Sequence, residues 1–281
     1  MFIHEKINEI ENSNNENNNL NKNEKISSTI RNILYNKTDS FYRKAKEEGF
    51  RARSVYKLKE IHYNYNILNN CNNFLDLCAA PGSWSQMLRI LTKDNKNSKI
   101  ISVDIQDIVP IEGVTIIKGD ITSQKTIEEI FKKSNNEKFD VIIFDGAPDV
   151  TGLIDIDLYM QIELIIFSLL ICMKTLKEDG KFVAKVFKVK NYDERNISVK
   201  SDFYYEKLKI LFDNIFYFKP SSSRQSSHET YLIAEGFSIP EKFRNEFESI
   251  PLDNIFDFEK KINNIEIKNF LRFLINGSYT I

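Results

Sequence analysis

No two of the three cysteines are spaced as a working pair. Cys71, Cys78 and Cys172 form no Cys-x-x-Cys motif, and the three histidines (His4, His62, His228) share no ligand spacing with them. This argues against a zinc site or a disulfide framework, and predicts reduced thiols in an intracellular, cytoplasmic setting with no metal. Long apolar runs are also missing. The longest, around Leu164 to Met173, is too short to span a bilayer, and the start of the chain carries no apolar signal core, so no membrane association is expected. Nor does charge of one sign dominate: 39 Lys and Arg oppose 40 Asp and Glu, a formal net charge of −1. Any nucleic-acid surface must therefore be a local patch. Neither the phosphate-loop pattern Gly-x-x-x-x-Gly-Lys-Ser/Thr nor Gly-x-Gly-x-x-Gly occurs, which disfavours a phosphate-loop enzyme and a nicotinamide dehydrogenase.

What is present suits a soluble globular domain with extensions. The 281 residues are 42% hydrophobic and 28% charged, enough for one substantial core. Residues 1–36 read as a disordered, Asn-rich extension, 37–240 as the main domain, and 241–281 as a C-terminal helical appendage. Between Lys37 and Lys59, eight basic side chains face only Asp39, Glu47 and Glu48, with Phe41, Tyr42, Phe50 and Tyr56 interleaved. Val55, Leu58 and Ile61 recur at helical spacing, so one or two short helices with an outward basic face are expected. Such a face is either a solvated surface or a contact for RNA.

The main domain alternates strand and helix signals. Strands are expected near Asn73, at Lys99–Ile105, Val114–Lys118, Phe139–Phe144, Lys181–Phe187, Ile215–Phe218 and Glu229–Glu235. Helices are expected at Ile127–Lys133, Asp157–Leu176 (stopped by Glu178-Asp179-Gly180) and Tyr204–Phe212, with a polar loop at 188–203. The pattern predicts an α/β fold: a mostly parallel seven-stranded sheet, helices on both faces, and a reversed edge strand.

Asp76 to Gln86, DLCAAPGSWSQ, reads as strand, tight turn and helix start. Its small residues around Gly82 allow a ligand close to the backbone, and the helix would point free N–H groups at it. Ligands of open α/β sheets bind beyond the carboxyl ends of the strands, which singles out Asp104, Asp120 and Asp145. Asp104, 22 residues past Gly82, has the spacing of a ribose-binding acid. Lys185 interrupts the apolar run of KFVAKVF, so it either snorkels from the sheet edge or is functional. Asp145 and Glu229 can compensate its charge and Lys57 can add a second ammonium, a grouping suited to proton transfer.

DLCAAPGSWSQ, VDI at 103–105, KGDIT at 118–122, DGAPDVTG at 145–152, KFVAKVF and SSRQSSHETYLIAEG at 222–236 together resemble the FtsJ-type ribose 2′-O-methyltransferases. The match runs from about Tyr42 to Gly236, with the motifs in the family's order. It implies a Rossmann-like methyltransferase fold, S-adenosylmethionine as cofactor with S-adenosylhomocysteine as product, and a Lys57–Asp145–Lys185–Glu229 tetrad with no metal. Segments 40–58 and 145–161 further resemble the eukaryotic branch that methylates tRNA anticodon-loop positions 32 and 34 together with separate nucleotide-selecting subunits. The chain departs from that branch at Ile154, where the branch usually has His.

On this reading the cofactor lies over Gly82 to Trp84, with Trp84 either beside its methionine half or simply in the core. Asp104 holds the ribose and Asp120 the adenine side. Asp145 orients Lys185, the general base, and can touch the cofactor, while Lys57 and Glu229 position the acceptor ribose. The alternatives are the same chemistry on ribosomal RNA or an mRNA cap, and a non-catalytic RNA-binding scaffold.

Overall fold

The computed structural model describes residues 40–147, 154–187, 205, 208–224, 227, 229–241, 244, 265, 268 and 269, with the side chains of 154–159 excepted. The expected extension 1–36, the polar loop 188–203, His228, the side chain of Ile154 and nearly all of 241–281 lie outside these residues.

Seven strands form one sheet: β1 (Asn73–Leu77), β2 (Lys99–Asp104), β3 (Val114–Lys118), β4 (Phe139–Phe144), β5 (Leu176–Phe187), β6 (Phe212–Phe218) and β7 (Glu229–Phe237). Their order is β3-β2-β1-β4-β5-β7-β6. The first five are parallel, with helices in the β1–β2, β3–β4 and β4–β5 connections. The reversal expected at one end is present: β7 runs antiparallel to β5 and to the edge strand β6.

Helices cover both faces. α1 (Val55–Tyr65) and α2 (Ser83–Leu91) lie on one side; α3 (Gln124–Lys133) and α4 (Ile154–Thr175) lie on the other. Alternation along the strands explains the two cores. Phe74, Ile100, Val141, Ile143, Val183, Tyr231 and Ile233 pack with Leu58, Ile61 and Trp84, while Leu75, Ile101, Ile142, Phe182 and Leu232 face Ile127, Ile130, Leu169 and Leu170. The basic aromatic stretch forms two helical pieces, a segment over 40–47 and α1.

Two expected boundaries move. α4 stops at Thr175 and β5 begins at once, so Glu178-Asp179-Gly180 lies inside the strand. Leu176 is buried opposite Phe139, and the next pair is Val141 with Lys181, so the turn-forming residues are taken up as an irregularity in the ladder, with Asp179 left-handed at φ 59°. Phe212, expected to end a helix, instead opens β6; it pairs with Phe237, and their rings lie 5.3 Å apart.

Candidate active site

The carboxyl ends of β1 to β5 open onto a cavity of about 640 Å³. Asp104 and Asp120 line one part of it, Asp145, Gly146 and Lys185 another, and Glu163 and Phe167 of α4 form a wall. Asp104, at the end of β2, is fixed by backbone donors: Ala80 N–H donates to its Oδ2 over 2.8 Å and Gln106 N–H to its Oδ1 over 2.7 Å. Asp120 accepts from the backbone and hydroxyl of Thr122, both at 2.8 Å, and remains exposed. Cys78 also lines the cavity, and burial together with the carboxylates of Asp104 and Asp76 pushes its thiol up to about 12.

The turn ahead of α2 is built as its residues dictate. Gly82 caps the helix at φ 104°, a conformation that side chains rarely adopt, and an added Cβ would lie 2.7 Å from Arg51 Nη1. Arg51 straps the turn, donating to Pro81 O at 2.9 Å and Pro110 O at 3.1 Å. Beneath the turn, Ser85 Oγ donates to Asp76 Oδ2 and lies 2.7 Å from Ser102 Oγ. Asp76 is fully buried and its Oδ1 has no hydrogen-bond partner among the described residues; burial, with the nearby charges of Asp145 and Asp104, pushes its carboxyl up to about 7. Trp84 is 2% exposed, donates Nε1–H to Ser54 O at 2.9 Å, and packs on Tyr231 with ring centres 5.5 Å apart. Neither Gly82 nor Trp84 is among the residues lining the cavity.

Lys57, Asp145, Lys185 and Glu229 come from α1, the end of β4, β5 and the start of β7, and they converge. Lys185 Nζ donates to Asp145 O at 2.6 Å and lies 3.3 Å from Asp145 Oδ1. Lys57 Nζ sits 2.6 Å from Glu229 Oε1, with both side chains nearly buried. Burial alone would raise the Glu229 carboxyl; the charge and hydrogen bond of Lys57, joined by Ser223 and the Lys185 charge, together hold the group below the usual carboxylate range.

Tyr231 joins the two pairs. Its hydroxyl donates to Asp145 Oδ1 over 2.6 Å, and Lys57 Nζ lies 5.7 Å from its ring centre. It is fully buried, and burial plus the charges of Asp145 and Glu229 raise its hydroxyl well above the usual tyrosine value. The antiparallel register explains the grouping. Tyr231 stands opposite Lys185, and Glu229, two residues earlier on β7, shares its face. Because β7 runs backwards, its first residue reaches the same rim as the last residues of β4 and β5.

Sequence reading missed Tyr231, Glu163 and Gln161. Tyr231 reads as one more aromatic in the strand-like run ETYLIAEG, and only its spacing from Glu229 hints at a shared face. Gln161, fully buried, donates from Nε2 to Lys185 O at 2.8 Å and more distantly to Gly146 O at 3.4 Å. Two of the basic residues expected on an outer face are engaged internally: Arg51 on the turn, and Arg53 through Nη2 to Ser222 O at 2.6 Å.

A parallel sheet with one reversed strand, a cavity over its carboxyl rim and a fixed acid at the end of β2 define a Rossmann-like α/β fold. Residues 50–237 match the FtsJ-like methyltransferase family, and the chain belongs to it. A Schizosaccharomyces pombe protein named tRNA (cytidine(32)/guanosine(34)-2′-O)-methyltransferase is 40% identical over 218 residues, 74% of this chain and 73% of that one. A Dictyostelium discoideum protein, provisionally given the same name, is 44% identical over 221 residues, 78% of each chain. A Plasmodium falciparum crystal structure, described provisionally as a ribosomal RNA methyltransferase, superposes with a TM-score of 0.57 at 26% identity, covering 67% of this chain and 98% of its own.

Proposed function

We propose that this chain is an S-adenosylmethionine-dependent tRNA methyltransferase acting on ribose 2′-oxygens of the anticodon loop, at position 32, 34 or both. The observation that carries the reading is the convergence of Lys57, Asp145, Lys185 and Glu229 beside a cavity whose size suits a nucleoside-containing ligand. Membership of a methyltransferase family and the names of its relatives support the reaction and the RNA.

The donor set fits the cofactor that the family implies. Asp104, Asp120, Asp145 and Glu163 set four carboxylates against one ammonium, Lys185, in the cavity wall, a balance that suits a ligand bearing a sulfonium and an ammonium. When bound, S-adenosylmethionine supplies an already electrophilic methyl group. Asp104 would hold its ribose and Asp120 its adenine side, while Gly82 shapes the turn and Trp84 backs the site from the core. Lys185, neutral at the moment of reaction, takes the proton from the ribose 2′-hydroxyl. Asp145 orients Lys185 through its backbone oxygen and its carboxylate. Lys57 and Glu229 hold the acceptor ribose so that the 2′-oxygen is aligned for attack. The remaining basic and aromatic residues of segment 40–59, among them the exposed Tyr42, supply phosphate contacts and stacking for a single-stranded loop.

A separate protein subunit that selects the nucleotide is part of this reading, supported by the resemblance to the two-component tRNA branch. So is a cytoplasmic location, supported by three free thiols. No described helix is long and apolar enough to cross a membrane. Methyl transfer from labelled cofactor to total tRNA, with and without cell extract and followed by nucleotide mapping, tests the proposal. Label on a ribose at position 32 or 34 is expected, and an extract requirement reveals the partner. Label on ribosomal RNA alone, the outcome favoured by the description of the Plasmodium structure, would replace the tRNA assignment.

A further inference from the structure

We infer that Gln161 is a positioning residue for the Lys185–Asp145 pair, acting from α4 through the backbone rather than by touching a ligand. The inference rests on the proposed role of that pair. β4 and β5 are paired as far as Phe144 and Ala184, and beyond that point the strands part. The Gln161 amide sits in the fork. Its Nε2 donates to Lys185 O at 2.8 Å and makes a long contact to Gly146 O at 3.4 Å, so one amide addresses both branches, at Lys185 itself and at the residue after Asp145. Across the same fork, Lys185 Nζ reaches Asp145 O at 2.6 Å.

The orientation of the amide follows from its surroundings. Two carbonyl oxygens face one end, and only the NH2 group can donate to both. The other end, Oε1, is buried with no hydrogen-bond partner among the described residues. A fully buried glutamine with an unpaired oxygen, in a helix otherwise filled by residues such as Ile165, Ile166, Leu169 and Leu170, is a poor choice for packing alone. What a leucine could not supply is a donor where the sheet ladder has ended. Gly146 completes the device: a side chain there would meet the Phe144 ring at 2.5 Å and crowd Cys78 Sγ at 3.0 Å, so anything larger than glycine would force that ring to move.

The variants Gln161→Leu and Gln161→Met keep bulk and remove the donor. Three quantities are measured on the full chain: turnover on tRNA, affinity for S-adenosylhomocysteine by calorimetry, and the acetylation rate of the Lys185 amine by acetic anhydride, read by peptide mass spectrometry. Released from Asp145 O, the Lys185 amine acetylates about threefold faster or more, and kcat falls at least about tenfold while KM for tRNA and the affinity for S-adenosylhomocysteine change less than about threefold. Unchanged acetylation in the variant that retains wild-type S-adenosylhomocysteine affinity overturns the inference, as does a parallel loss of that affinity and kcat in both variants, which would make Gln161 a wall of the cavity. If the wild type methylates no RNA but acetylation still responds to the variants, the functional proposal falls and the positioning role stands.

Discussion

Lys185 Nζ lies nearer to the backbone oxygen of Asp145, at 2.6 Å, than to its carboxylate, at 3.3 Å. The amine is therefore held by two anchors, only one of which belongs to a side chain. Lys185→Ala removes the proposed base and is expected to abolish methyl transfer while S-adenosylhomocysteine affinity stays within about threefold of wild type. Asp145→Asn keeps the backbone anchor and loses the charge. Its kcat should fall less than that of Lys185→Ala, and single-turnover kinetics on tRNA separate the two.

Lys57 and Glu229 are a nearly buried ion pair, so removing one partner strands the other. Lys57→Met should lower stability by about 2–4 kcal/mol at pH 7, toward the low end because both side chains retain some solvent contact. Lys57 keeps the Glu229 carboxyl below its unfolded value, so the stabilisation is present above about pH 4 and disappears as pH falls through the lower folded value. Thermal unfolding of wild type and variant should therefore differ most near neutrality and converge in acid. A difference that does not depend on pH would mean that packing, not charge, carries the effect.

Asp76 runs the other way. Burial raises its carboxyl to about 7, far above the unfolded value, so the native state holds a proton that the unfolded chain releases. Stability from this group falls as pH rises from about 4 to about 7 and then levels off. Asp76→Asn removes that decline and can still accept from Ser85. The Tm of the variant relative to wild type should rise between pH 5 and pH 8, and a constant offset would show that Asp76 is ionised throughout.

Asp104 accepts two backbone N–H groups besides facing the cavity. Asp104→Ala should weaken S-adenosylhomocysteine binding at least about tenfold, measured by calorimetry, and cost about 1–3 kcal/mol of stability through the donors left unpaired. Asp120→Ala, whose partners are the local backbone and hydroxyl of Thr122, should lose affinity without a comparable loss of stability.

Much of this architecture is legible in residue patterns because parallel strands are buried on both faces and leave continuous apolar runs: FDVIIF reads as a strand unaided. Boundaries are less legible where tertiary pairing overrides turn chemistry, as at Glu178-Asp179-Gly180, which the ladder beside Phe139 absorbs. Charged residues in apolar runs stand out, so Lys185 and the rim acids are found by local inspection. Tyr231 and Gln161 escape because an aromatic in a strand and a glutamine in an apolar helix look ordinary until register and burial are known. Trp84 is a further case: its place beside the turn leaves a ligand contact and a core position both open in the sequence, and its ring is buried and bonds to Ser54 O.

The reversed strand also sets the order in which the molecule can be completed. β6 is joined to the sheet only through β7, although it is synthesised first. A nascent chain that has yielded everything up to Ser227 already holds the rim acids and Lys185, but lacks Glu229 and Tyr231 and has no place to dock β6. The turn around Gly82 and the cluster of Lys57, Asp145, Lys185 and Glu229 are thus completed by different stretches of the chain. A product terminated between β6 and β7 would retain most of the cavity wall but lack Glu229 and Tyr231, so the four-residue cluster is complete only when β7 is in the sheet.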